Sequence, residues 1–261
     1  MNERFYGKID LNEEIHQNLT LLKELELNLE LCITDSSYLY EKYQPFARTL
    51  AHTISELNLR TIFHLPFYGL QLGCKDTYIR KLSYEIIIQG LKRCSELNMK
   101  RAVMHVATPS YIPAIGLEKW LQSFYQNLEK ILGYCEEKDI TLLLENTFEP
   151  DPEIFATIFQ RFPSDKLSIC LDIAHIYCYS EANFLDWWSS LSQKIQHIHL
   201  SDNNGEEDSH LALGEGIIDF QEVFEHSFTL PVTYTLETEK SCFRKSIHYL
   251  KSLITPQEKI S

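Results

Sequence analysis

Nine side chains in this sequence could hold a divalent cation or move a proton, and their spacing follows one rule. Six sit at the ends of separate apolar runs: His64 (TIFHLPF), His105 (RAVMHVAT), Glu145 (TLLLENT), Asp172 (SICLDIAH), His199 (HIHLSD) and Glu237 (TYTLETE). Three more follow such ends closely: His175 in D-x-x-H after Asp172, and Asp208 with His210 as D-x-H in NNGEEDSHLALGEGIIDF. A short apolar run bounded by turn or helix signals reads as a buried parallel strand. A charge on its last residue is costly unless it is paired or bound to metal. A lone histidine there is more often a satisfied core residue, but the joint pattern outweighs that reading. Mixed imidazole and carboxylate ligation suits Zn²⁺, Mn²⁺, Fe²⁺ or Co²⁺. One ion takes about four to six ligands, so the expected cofactor is one to three divalent ions, with carboxylates bridging them if there are several.

The elements that must position these groups alternate as strand and helix eight times. The expected strands are Arg4–Ile9, LELCIT ending near Thr34, Arg60–Pro66, Lys100–Val106, Ile140–Glu145, Leu167–Asp172, Ile195–Leu200 and Val232–Thr238. Helices are expected at Tyr40–Leu57, Asp76–Leu97 with Asp76 as cap, Leu117–Lys138, Asp151–Phe162 with Pro152 in its first turn, Asn183–Leu191, Asp219–His226 and Cys242–Ile254, and one carries Ile15, Leu19 and Leu22. Such alternation implies α/β class: a (β/α)8 TIM barrel with right-handed crossovers. In that fold the strand ends converge on one face, where the metal site is expected. Side chains alternate along a strand. His197 therefore shares the inward face of His199 but lies one layer deeper, suited to supporting a ligand rather than being one.

At 261 residues the chain fits one such barrel spanning residues 1–261, with no linker or repeat interrupting it. The 44% hydrophobic content, with 14 Phe and 14 Tyr, is ample for its core. No run approaches the roughly 20 apolar residues of a membrane span, and the start MNERFYGKID lacks a signal-peptide core, so a cytoplasmic location is expected. Seven cysteines without a C-x-x-C pair read as reduced thiols. The net charge of −13 disfavours a nucleic-acid partner. An oligomer is compatible with all of this.

The motifs LLLENT, CLDIAH, HIHLSDNNGEEDSHLALGEGIIDF and LETE resemble those of the xylose isomerase-like TIM-barrel superfamily. That group holds sugar-phosphate isomerases and epimerases together with the endonuclease IV class of apurinic endonucleases. The resemblance implies metal ligation by Glu145, Asp172, His175, His199, Asp208, His210 and Glu237. His64 and His105 fall on the strands where endonuclease IV has two extra histidines. The family's epimerases usually place an Arg shortly after the strand-seven His, where this chain has Asn203 and Asn204.

Three readings follow. The first is a divalent-metal-dependent isomerase or epimerase of a sugar or sugar phosphate. In it Glu145 and Glu237 transfer a proton through an enediolate, and Asn203 and Lys240 are the expected substrate contacts. The second is an endonuclease IV-like multi-metal phosphodiesterase acting on abasic DNA. The third is a non-catalytic metal-binding barrel. Few Lys or Arg residues follow the strand ends (Lys75, Arg80, Lys240 and Arg244), which favours a small carbohydrate over DNA.

Overall fold

Eight parallel strands pair in chain order and close on themselves, β8 hydrogen-bonding back to β1. The computed structural model describes residues 3–254 apart from 13, 41, 111 and 113. The strands are β1 Phe5–Asp10, β2 Asn28–Cys32, β3 Thr61–His64, β4 Arg101–His105, β5 Thr141–Glu145, β6 Leu167–Asp172, β7 Ile195–Leu200 and β8 Thr233–Leu236. The helices are α1 Ile15–Glu24, α2 Gln44–Glu56, α3 Thr77–Glu96, α4 Ala114–Lys138, α5 Glu153–Arg161, α6 Ile173–Tyr179, α7 Phe184–Leu191, α8 Phe220–Ser227 and α9 Phe243–Ile254. This is the expected TIM barrel.

Local chemistry sets the helix starts. Asp76 accepts from the amides of Tyr78 and Ile79, and Asp219 from those of Gln221 and Glu222. Asn183 and Asp186 exchange bonds as a capping box. Pro152, expected inside the first turn of α5, stands at its N-cap. Helix α6 is an addition to the sequence reading. Asp172, the last residue of β6, accepts the amide of His175 at 2.7 Å and starts the helix immediately. The chain turns at once, so D-x-x-H becomes the first turn of a helix rather than a loop.

Outward-facing strand residues such as Leu29, Phe63, Leu142, Leu171 and Leu236 pack with the helices in the main core. A smaller cluster of Tyr6, Ile62, Val103, Leu143 and Cys170 fills the barrel interior beneath the strand ends. The Trp187–Trp188 pair is helix packing, both rings being buried. The seven cysteines are free thiols. Among the described residues no helix is long and apolar enough to cross a membrane.

Candidate metal centre

Cross-strand register places His105 opposite Glu145, and Asp172 opposite His199. Glu145 is wholly buried and serves two groups. Its Oε2 lies 2.9 Å from His105 Nε2 and 3.2 Å from His64 Nε2. Its Oε1 lies 3.3 Å from His199 Nδ1, which is also 3.4 Å from Glu237 Oε1 and 3.7 Å from Asp172 Oδ2. A third group adjoins on the loop after β7, where Asp208 Oδ2 lies 3.3 Å from His175 Nε2 and 3.1 Å from His210 Nε2. The structure thus gathers all nine sequence-derived candidates into one continuous cluster.

The outer nitrogen of each imidazole faces an oxygen, and in all but His199 the two are hydrogen-bonded. The Nδ1–H groups of His64, His175 and His210 donate to the carbonyls of Leu65 (3.0 Å), Asn146 (2.7 Å) and Glu237 (2.7 Å). A carbonyl only accepts, so each Nδ1 carries a proton and Nε2 is the atom turned to the cluster, offering a lone pair once the ring is neutral. His105 Nδ1 pairs with Thr147 Oγ1 at 2.8 Å, and His199 Nε2 lies 3.0 Å from Glu30 Oε1. Metal-ligating histidines are held in this way, their outer nitrogen fixed by an oxygen partner.

Several inward atoms are buried and make no hydrogen bond among the described residues: Glu145 Oε1, His199 Nδ1, Asp208 Oδ1 and Glu237 Oε1. Orphaned buried acceptors are costly, and a divalent cation would satisfy them together. Glu145, Asp172, His199 and Glu237 could hold one ion, and His64, His105 and Glu145 another, since their ligand atoms fall within 4.8 Å of one another in each group. His175, Asp208 and His210 offer a further set. The donor chemistry fits the expected Zn²⁺, Mn²⁺, Fe²⁺ or Co²⁺.

Crowding perturbs the protonation of these groups. Burial, reinforced by Glu237 and Glu145 against the opposing charge of His175, pushes the Asp172 carboxyl up to about 7. Burial also acts to raise Glu237, but the charges of His199 and Lys8 prevail and hold it at about 2. Burial takes His105 down to about 4 against the pull of Glu145.

Several residues lay outside the sequence reading. Glu30, in the middle of β2, is fully buried between His197 Nε2 (3.0 Å to Oε2) and His199 Nε2 (3.0 Å to Oε1). Lys8 of β1 places its Nζ 3.0 Å from Glu237 Oε1. Both interrupt apolar strands at inward parity, and that was the available signal. Asp202 organises the loop carrying Asp208 and His210, accepting the amides of Gly214 and Gly216 at 2.9 Å each. A Cβ on Gly216 would come within 2.1 Å of Asn203 O, so only glycine fits there.

The deeper position of His197 stands: it bonds Thr233 and Thr235 below the cluster. Asn203 differs from expectation. It is fully buried, its Nδ2 donating to Ala174 O at 3.0 Å and its Oδ1 accepting Gly205 N at 2.9 Å, so it ties down the loop instead of facing a substrate. Lys240 lines a cavity of about 160 Å³ beside the cluster, together with Lys8, Asn18, His210 and Glu237.

Residues 28–252 match the family model described as xylose isomerase-like TIM barrel. The chain belongs to that family. A curated relative in it is the uncharacterized protein MJ1311 of Methanocaldococcus jannaschii, 31% identical over 63% of this chain and 58% of its own length. The chain therefore spans somewhat under two thirds of that relative. A probable endonuclease 4 of Aquifex aeolicus is 25% identical over 68% of this chain and 70% of that protein. Among solved structures, the TTHB071 protein from Thermus thermophilus, soaked with ZnCl2, superposes with TM-score 0.84 at 26% identity, covering 97% and 98% of the two chains. A D-tagatose 3-epimerase-like protein superposes with TM-score 0.80 at 25% identity, covering 96% of each chain. Sugar epimerases and endonuclease IV homologues are thus both among the neighbours of this xylose isomerase-like barrel.

Proposed function

We propose that this barrel is a multi-metal phosphoester hydrolase, using endonuclease IV-like chemistry on a substrate smaller than duplex DNA. The observation that carries this reading is the orientation of the five imidazoles: each has its outer nitrogen within 3.0 Å of an oxygen and its inner nitrogen turned to a shared carboxylate of Glu145 or Asp208. Proton transfer on a sugar needs only one ion and the four residues Glu145, Asp172, His199 and Glu237. The other five residues, three of them buried, would be a costly excess in a one-ion enzyme.

Bound divalent cations would polarise a phosphoryl oxygen and make water nucleophilic near neutral pH. Glu145 would tie two ion sites together through its two oxygens. A small substrate is favoured because three of the cations near the mouth are already committed. Lys8 pairs with Glu237, Lys240 Nζ lies 3.3 Å from Glu14, and Arg80 donates to the carbonyls of Cys74 and Lys75. Duplex DNA is normally gripped by several free phosphate contacts.

The likeness to a D-tagatose 3-epimerase-like protein, with Glu145 and Glu237 meeting at His199, favours a second reading: a metal-dependent sugar or sugar-phosphate isomerase or epimerase. Paired assays separate the two. The hydrolase reading expects cleavage of bis(p-nitrophenyl) phosphate that is lost in His64→Ala. Deuterium incorporation from solvent into a ketohexose, retained in His64→Ala and without phosphoester cleavage by the wild type, would establish the isomerase reading instead.

A further inference from the structure

We infer that Glu30 is a positioning residue for the metal centre, holding the His199 ring so that its Nδ1 faces Glu145, Asp172 and Glu237. This rests on the metal-bearing reading of the cluster but not on which reaction the cluster performs.

Glu30 is an unusual residue to find where it is. It lies at mid-strand with no exposed surface, and a buried carboxylate persists only when paired and hydrogen-bonded. Its Oε2 is satisfied from below by Thr235 Oγ1 at 2.5 Å and His197 Nε2 at 3.0 Å. Its Oε1 makes no hydrogen bond among the described residues and has a different charged neighbour, His199 Nε2 at 3.0 Å. That oxygen is therefore reserved for one imidazole.

The consequence for His199 is chemical. An ion held among the cluster carboxylates requires Nδ1 to be the deprotonated nitrogen, and a carboxylate 3.0 Å from Nε2 favours the remaining proton there. Nδ1 is the atom that meets the three cluster carboxylates at 3.3, 3.4 and 3.7 Å. A ring with the opposite tautomer would present an N–H to the ion position instead of a lone pair. The support continues downward: His197 Nδ1 pairs with Thr233 Oγ1 at 2.6 Å, and Arg101 donates to the same hydroxyl at 2.8 Å. The column Arg101–Thr233–His197–Glu30 fixes the carboxylate from the barrel interior, where no solvent could do so.

The test uses zinc and cobalt alone, so it needs no knowledge of the substrate. Zinc affinity of the full chain is measured by competition with a chromophoric chelator, and the visible spectrum is recorded after cobalt substitution. Glu30→Gln is expected to bind its tightest zinc about 10- to 100-fold more weakly, the usual effect of removing an outer partner of a ligating histidine. Its cobalt bands should shift, because the ring reorients. Glu30→Asp, which keeps the charge but draws it back, should fall between. Wild-type affinity and an unchanged cobalt spectrum in Glu30→Gln would overturn the assignment, leaving Glu30 an ion-pair partner of the core. Should Glu30→Gln fail to fold, Thr235→Val carries the test by removing one hydroxyl from Glu30: weakened zinc binding supports the role, and wild-type affinity overturns it. A wild-type chain that binds no zinc or cobalt would instead remove the metal reading itself.

Discussion

The Nε2 atoms of His64 and His105 lie 3.4 Å apart, both turned to the same oxygen of Glu145. With His64 Nδ1 donating to Leu65 O and His105 Nδ1 paired with Thr147 Oγ1, the two inner nitrogens meet where a proton or a cation must sit between them. Burial lowers His105 to about 4; it acts on His64 too, but Cys32 and Glu145 raise that ring well above its usual value, so the metal-free pair holds one proton beside Glu145 that a cation would displace. Substituting His64 by Ala should therefore reduce bound metal by about one ion per chain while the remaining ligands keep theirs. Elemental analysis of the purified variant checks this; unchanged stoichiometry would make the pair a core contact.

Glu145 and Glu237 should not behave alike. Glu145 faces both the His64–His105 group and His199, whereas Glu237 faces His199 and Lys8. Glu145→Gln is expected to lose two ions and Glu237→Gln about one, because an amide ligates divalent cations poorly. Both should lose activity by more than about a hundredfold. The comparison is read from metal content and single-turnover rate together, and equal metal loss in the two variants would refute the bridging position of Glu145.

Much of this centre could be read from sequence because strand parity is strict. His199, Glu145 and Glu237 end their apolar runs, and the barrel brings strand ends together whatever the loops do. Glu30 escaped because its significance lies in a partner 167 residues away on β7, which no local pattern reveals. An extended loop would turn Asp208 and His210 to one side, as side chains two apart do in extended backbone. The pair does converge, but by another backbone: His210 takes a left-handed φ of 47° and its ring is pinned to Glu237 O. Such conformations are kept where the surroundings enforce them. Asn203 was misjudged for a related reason, since past the strand end the loop held by Asp202 turns its amide inward.

Metal uptake should release protons and strengthen with pH. Burial acts to lower His175 and His210, but the carboxylate of Asp172 raises the first to about 10, and hydrogen bonding to Asp208 raises the second to about 9. Both imidazoles are then protonated at neutral pH in metal-free protein, and each must lose a proton to ligate. His64 and His199 are raised as well, so zinc titration at pH 7.5 is expected to release at least about two protons, and apparent affinity should rise as pH approaches 9. The raised values also mean that this pairing stabilises the metal-free fold fully below about 6.5 and less as pH rises through 9 and 10. Calorimetry in buffers of differing ionisation enthalpy measures the proton count; a pH-independent affinity would show that these two rings are not ligands.

The most direct measurement is the metal content of the chain purified without chelator, determined by elemental analysis against protein concentration. The arrangement of His64, His105, Glu145, Asp172, His175, His199, Asp208, His210 and Glu237 predicts two to three divalent ions per chain. A single ion, lost only when Glu145, Asp172, His199 or Glu237 is substituted, would contradict the multi-metal hydrolase reading and leave the one-ion isomerase chemistry in its place.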